Sequence, residues 1–219
     1  GVLYCLEAIR NISPHTRFYN AGSSEQFGDV TYSPQDINHP FRPRSPYGAS
    51  KCAAHHLVKV YRESYGTYAV QGILFNHESP RRGTNFVTNK VCKEAVKIKL
   101  GLSSELKLGN LDATRDWGHA KDYVKAMWEI LQLDNPDDFV CATGISHSVR
   151  ELCDYVFSSL GLDYKEYVIQ DKKYLRPEEL HNLKGDCTKL QQTTGWKPKY
   201  TFESMLDEMI EYWLEYYNK

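Results

Sequence analysis

The sequence predicts an α/β layered fold built on a parallel sheet. Short strand-like segments alternate with amphipathic helices along the chain. Residues 69–75 are close to continuously apolar, as expected of a parallel strand covered on both faces. Polar clusters, Gly22-Ser23-Ser24-Glu25 and Asn76-His77-Glu78, follow two of the strands directly. Ligands bind beyond the carboxyl ends of the strands in such sheets, so both clusters belong to one candidate edge.

Taken in order, Leu3, Leu6 and Ile9 recur at helical spacing over residues 2–10, and residues 17–21 read as a short strand. A loop with Pro34, Pro40, Pro43 and Pro46 precedes a helix over 47–65, whose face carries Ala53, Leu57, Val60 and Tyr61. After the strand at 69–75 and the polar stretch 76–83, Phe86, Val87, Val91, Ala95 and Ile98 mark a helix that Gly101 is placed to end. Residues 119–133 form a helix through Tyr123, Val124, Met127, Ile130 and Leu131, and 139–142 a strand. Ser148 and Glu151 make a capping box for a helix carrying Leu152, Val156, Phe157 and Leu160. The tail from 202 to 217 is amphipathic through Leu206, Met209, Ile210, Trp213 and Leu214. The loops at 32–46 and 163–186 read as functional or domain-crossing.

Composition narrows the function. With 41% hydrophobic residues in 219, the chain can bury a sizeable core. Its 27 basic and 28 acidic residues give no net charge that calls for nucleic acid or a membrane surface. No apolar run approaches membrane-spanning length. The six cysteines show no CxxC pair and read as core thiols of a cytoplasmic protein. His55-His56 lacks the HExxH pattern, so no metal is expected, and Gly22-Ser23-Ser24 is not a GxSxG elbow.

The chemistry concentrates at Tyr47-Gly48-Ala49-Ser50-Lys51. Tyr and Lys at i and i+4 share one helix face. A nearby ammonium favours tyrosinate, lowering the phenol pKa from about 10, and so prepares a general base for an alcohol. Tyr and Lys are common on helices, and the pair alone is weak evidence. Ser23 at the preceding strand end and the apolar strand that follows the helix make it a site.

Five segments carry a resemblance. They are Gly22-Ser23-Ser24-Glu25-Gln26-Phe27-Gly28, Ser45 through Lys51, Phe75-Asn76-His77-Glu78-Ser79-Pro80-Arg81-Arg82-Gly83, Gly109 through Gly118, and Arg176-Pro177-Glu178-Glu179. Together they run through nearly the whole chain, which resembles the extended short-chain dehydrogenase/reductase family and, within it, the GDP-mannose 4,6-dehydratases. The resemblance implies a partial Rossmann-like parallel sheet with a smaller α/β substrate-binding domain. It places a partial dinucleotide-binding half with the catalytic residues at 1–83, a substrate-binding region at 84–118 and 163–219, and a returning helix, strand and helix at 119–162.

The same resemblance implies Ser23, Glu25, Tyr47 and Lys51 as catalytic residues. Ser23 stands where the dehydratases usually have threonine. Lys51, His77 and Arg82 would contact NADP, while Asn76, Lys90, Arg115, Arg176 and Glu179 would contact GDP-mannose. A dimer or tetramer is implied, through the loop around Arg81-Arg82. Glu25 is the carboxylate that a nucleotide-sugar 4-epimerase does not need. His77 reads equally as a core histidine bonded to backbone.

One element of the family pattern is missing. Complete relatives begin with a strand and a Gly-rich turn that seats the pyrophosphate, and no G-x-G-x-x-G occurs here. The chain also opens inside a helix with no capping residue before it, so a fragment lacking an N-terminal half is the expectation. Two readings stay open: the larger part of a dehydratase, or a domain that keeps a GDP-sugar site without redox chemistry.

Overall fold

The computed structural model describes residues 1–175 and 183–218. Helix α1 (Val2–Ile12) leads to strand β1 (Phe18–Ser23) and a single 3-10 turn at Ser24–Gln26. Helix α2 (Pro46–Tyr65) crosses over to β2 (Ala69–Leu74), which continues into the short β3 (Asn76–Glu78). Helix α3 (Val87–Lys99), β4 (Leu106–Leu108), β5 (Thr114–Arg115), β6 (Trp117–His119) and α4 (Ala120–Leu131) follow. The remainder is β7 (Asp138–Cys141), β8 (His147–Ser148), α5 (Val149–Ser159), β9 (Val168–Gln170), α6 (Thr188–Thr194) and α7 (Phe202–Tyr217).

The main sheet is parallel, in the order β1-β2-β7, with Ser23 opposite Leu74 and Leu74 opposite Cys141. All three carboxyl ends therefore meet at one edge. Strand β2 is buried along its length, and its alternation divides the core. Val70 and Leu74 pack with Tyr123, Ala126 and Ile130 of α4, Leu190 of α6 and Trp196. On the opposite face Ala69 packs with Leu6, Val58 and Tyr61 of α1 and α2, and Ile73 with Phe27, Phe75 and Leu183.

A separate core joins α3, α5 and α7 through Val91, Cys92, Leu152, Val156, Met205, Met209 and Trp213. Helix α5, grouped by sequence with the returning strand, packs here instead. Leu190 and Trp196, grouped with the substrate region, lie on the main sheet. The Trp196 indole donates to the Asp122 carbonyl at 2.9 Å, while the Asp122 carboxylate accepts from the backbone N–H of Lys199 and Tyr200. That pairing clamps the segment against α4.

Two further expectations change. Cys5 is exposed and Cys52 half-buried, so only Cys92, Cys141, Cys153 and Cys187 are core thiols. The proline-rich loop is sewn to residues 184–186 by Gln35: its N–H donates to the Lys184 carbonyl, its carbonyl accepts from Asp186 N–H, and its side-chain oxygen accepts from Lys184 N–H. Gly28 makes the loop's entry possible, because at φ +56° a Cβ there would sit 1.7 Å from the Arg42 carbonyl oxygen. Among the described residues no helix is long and apolar enough to cross a membrane, and no cluster of His, Cys, Asp and Glu is placed to hold a metal ion.

Beneath the sheet edge, Gln71 bridges Asn20 and His55: it accepts from the Asn20 amide at 2.8 Å and donates to His55 Nδ1. Burial holds the His55 imidazole below its usual pKa, against the pull of Asp138. An unfolded histidine titrates near 6.5, so below that pH the unfolded chain takes up a proton that folded His55 resists. The stability from neutral His55 is fully present above about pH 6.5 and is lost as pH falls. Burial pushes Glu78 and Asp116 up, which acts in the opposite sense but equally in any His55 variant. Between pH 7 and pH 5, urea unfolding should show a larger loss of stability in wild type than in His55→Asn. Equal losses would contradict this.

Candidate active site

Helix α2 starts where its sequence dictates. Ser45 Oγ accepts from Gly48 N–H at 3.0 Å, and Pro46 occupies the first turn, where no N–H is needed. Gly48 sits against the turn after β1: a Cβ there would lie 2.6 Å from the Glu25 carbonyl. This close approach brings Glu25 and Tyr47 side by side. Ser23 ends β1 as the cap of that turn, with its Oγ accepting from Glu25 N–H at 3.3 Å and its N–H donating to the Gln26 side chain at 2.9 Å.

Ser23, Glu25 and Tyr47 line one cavity of about 610 Å³ between the sheet edge and the second core. Tyr47 is 55% exposed at its mouth. Lys51 stands one turn further along the same face, its Nζ 5.5 Å from the Tyr47 ring centre and donating to the Ala21 carbonyl at 2.9 Å. The ammonium is thus fixed by β1 rather than loose in solvent.

The rest of the lining comes from the second core. Asn76, Arg82 and Arg115 reach the cavity, Arg115 being nearly buried and donating to the Thr114 carbonyl at 2.7 Å. Lys90 stands just behind: its Nζ donates to the Lys107 carbonyl at 2.6 Å and lies 4.2 Å from the centre of the Tyr174 ring, which does line the cavity. Burial lowers its pKa, with Glu94 opposing. His77 is not in the lining. Its Nδ1 bonds the Phe75 carbonyl at 2.9 Å, its ring stacks on Tyr123 at 4.9 Å, and burial lowers its pKa. This is the backbone-bonded histidine that the sequence allowed beside cofactor contact. Arg176 and Glu179 lie outside the described residues.

Sequence reasoning placed Glu78 at the edge without giving it a role and missed Thr88 and Tyr174; all three line the cavity. Glu78 was within reach, because the two-residue period of a strand puts it on the same side as Asn76. Tyr174 depends on a chain crossing that no local pattern encodes.

The sequence profile of the GDP-mannose 4,6 dehydratase family matches residues 1–209. The chain belongs to that family. Among its relatives are GDP-mannose 4,6 dehydratase 1 of Arabidopsis thaliana, 52% identical over 219 residues, and the GDP-mannose 4,6 dehydratase of Homo sapiens, 47% identical over 229. These alignments cover 98% and 96% of this chain but 60% and 62% of the relatives, so the chain spans about 60% of their length. The solved structure of RMD from Pseudomonas aeruginosa complexed with NADPH superposes with a TM-score of 0.90 at 24% identity, covering 98% of this chain and 72% of that one. That likeness shows the α/β fold.

Proposed function

We propose that the cavity carries out the dehydration of GDP-mannose to GDP-4-keto-6-deoxy-mannose, with NADP as the resident cofactor. The observation that carries the reading is the convergence of Ser23, Glu25 and Tyr47 on one cavity, with Lys51 behind the phenol. The dehydratase names of the relatives support it. The main sheet with α2 supplies the catalytic groups in this reading, and the second core holds the nucleotide.

The residues present fit a nicotinamide at the sheet edge. Tyr47 and Ser23 face the cavity, and the terminal nitrogens of Arg82, which also lines it, make no hydrogen bond among the described residues. A bound NADP would supply the hydride chemistry, removal from carbon 4 of the hexose and return to carbon 6. Tyr47 takes the proton of the carbon 4 hydroxyl, while Lys51 stabilises the tyrosinate. Ser23 hydrogen-bonds the sugar oxygen as it becomes a carbonyl. The new ketone acidifies the proton on carbon 5, which Glu25 removes, and the carbon 6 hydroxyl leaves with that proton as water. The proton held by Tyr47 balances the one restored at carbon 5. Arg115, Lys90 and Asn76, with Arg176 and Glu179, hold the sugar nucleotide, Lys51 and Arg82 contact the dinucleotide, and the assembly is a dimer or tetramer.

The test is product formation from GDP-mannose and NADP+, with the chain supplemented by the part of the Arabidopsis relative that lies outside their aligned region. A 4-keto-6-deoxy product is expected. GDP-mannose binding without product would leave a binding domain and overturn the catalytic reading.

A further inference from the structure

Glu78 has no part in the chemistry above, yet it is a carboxylate only 1% exposed that lines the cavity. Its Oε2 accepts from the Thr88 hydroxyl at 2.5 Å and lies 3.2 Å from Arg82 Nε. The Arg82 guanidinium is also held on its face, 3.6 Å above the centre of the Phe86 ring. Its backbone is tied down as well: the Arg82 carbonyl accepts from the Asn89 amide, whose oxygen accepts from the Trp213 indole at 2.7 Å. Helix α7 thereby anchors the loop that carries Arg82.

Burying a carboxylate beside a single cation is a poor route to stability, since desolvation offsets most of the attraction. Burial pushes the Glu78 carboxyl up, while Arg82 and Thr88 pull it back. What the pair does provide is aim. A free arginine loses rotamer entropy when it is fixed, and one already held in an ion pair with the Glu78 carboxylate and on the Phe86 face has met much of that cost before a ligand arrives. The two terminal nitrogens make no hydrogen bond among the described residues, and the Arg82 side chain is 23% exposed. They present the parallel N–H pair that suits two oxygens of one phosphate.

We infer that Glu78 is a positioning residue that holds Arg82 with its terminal nitrogens toward the cavity, where they clamp a phosphate of a nucleotide ligand. This rests on the reading of the cavity as a nucleotide site. The reading above makes it a phosphate of the dinucleotide; the sugar nucleotide is the other source, and the two separate on titration.

Calorimetric titration of the supplemented chain with GDP, NADP+ and guanosine tests the assignment. Glu78→Gln keeps the volume and removes the charge. It should weaken binding of GDP or of NADP+, whichever Arg82 holds, by about tenfold, and leave guanosine unchanged. In an Arg82→Ala background the same change should do nothing further. Thr88→Val, which frees the carboxylate while keeping the shape, should weaken the same ligand less, and it stands in if Glu78→Gln fails to fold. Wild type that binds neither GDP nor NADP+ would overturn the cavity reading and this inference with it. Wild-type binding unaltered by Glu78→Gln or Thr88→Val, or weakened equally in the Arg82→Ala background, would overturn the inference alone.

Discussion

Replacing Tyr47 with phenylalanine should lower the rate of product formation by about 10³-fold in the supplemented enzyme, with GDP-mannose affinity and thermal stability unchanged. General base catalysis contributes between about 10² and 10⁴ in rate, and here the abstracted proton comes from an alcohol, which loses it reluctantly. The phenol is 55% exposed at the cavity mouth, so deleting its oxygen opens no hole in the core. Lys51 stays bonded to the Ala21 carbonyl at 2.9 Å in either variant, and the helix start depends on Ser45 and Gly48 rather than on Tyr47. The loss should therefore fall on kcat. A variant within threefold of wild type would remove Tyr47 from the mechanism, and a raised KM with normal kcat would make it a binding residue.

The largest stability effect should come from Asp116, a fully buried carboxylate at the junction of the two cores. Its Oδ1 accepts from the Thr143 N–H at 2.9 Å and the Thr143 hydroxyl at 2.7 Å, and its Oδ2 from Gly144 N–H at 2.9 Å and Gly185 N–H at 3.3 Å. Four donors from two chain segments thus converge on one side chain. Burial raises its pKa while those hydrogen bonds hold it down. Gly185 is itself packed so closely that a Cβ would lie 2.3 Å from Ala142 Cβ and 2.7 Å from the Phe75 ring, so little water can enter if the acceptor is lost. Each buried donor left without a partner costs about 1–3 kcal/mol, and Asp116→Ala should therefore destabilise by about 4 kcal/mol or more in urea unfolding. Asp116→Asn should also be damaging, because its amide presents a donor to other donors. The neighbours Arg115 and Trp117 line the cavity, so nucleotide affinity should fall with stability. A loss below about 1 kcal/mol for Asp116→Ala would contradict the hub.

What the sequence made legible follows from the range of the forces involved. Helix α2 was readable because its signals are local: Pro46 near its start, an apolar face, and Tyr47 and Lys51 one turn apart. Ser23 and Glu25 were readable because a strand end is marked by the change from apolar to polar residues. Strands β3 to β6, β8 and β9 have only two or three residues each, too few for a two-residue period to show. Their pairing, β3 with β6 and β4 with β9, joins segments tens of residues apart. Helix α5 shows the same limit from another side. Its capping box and apolar face were clear, but which core that face enters is a tertiary choice, made by α3 and α7. The burial of Asp116 and of Glu78 escaped for a related reason: a buried carboxylate has no signature until the donors around it are known.

The most direct test of the dehydratase reading is the fate of deuterium placed on carbon 4 of GDP-mannose and converted by the supplemented enzyme with unlabelled NADP+. Internal hydride transfer predicts a 4-keto-6-deoxy product that carries the label on carbon 6, formed by wild type and lost with Glu25→Gln. A 6-hydroxy hexose with the label back on carbon 4 and its configuration inverted would contradict that reading and make the site an epimerase.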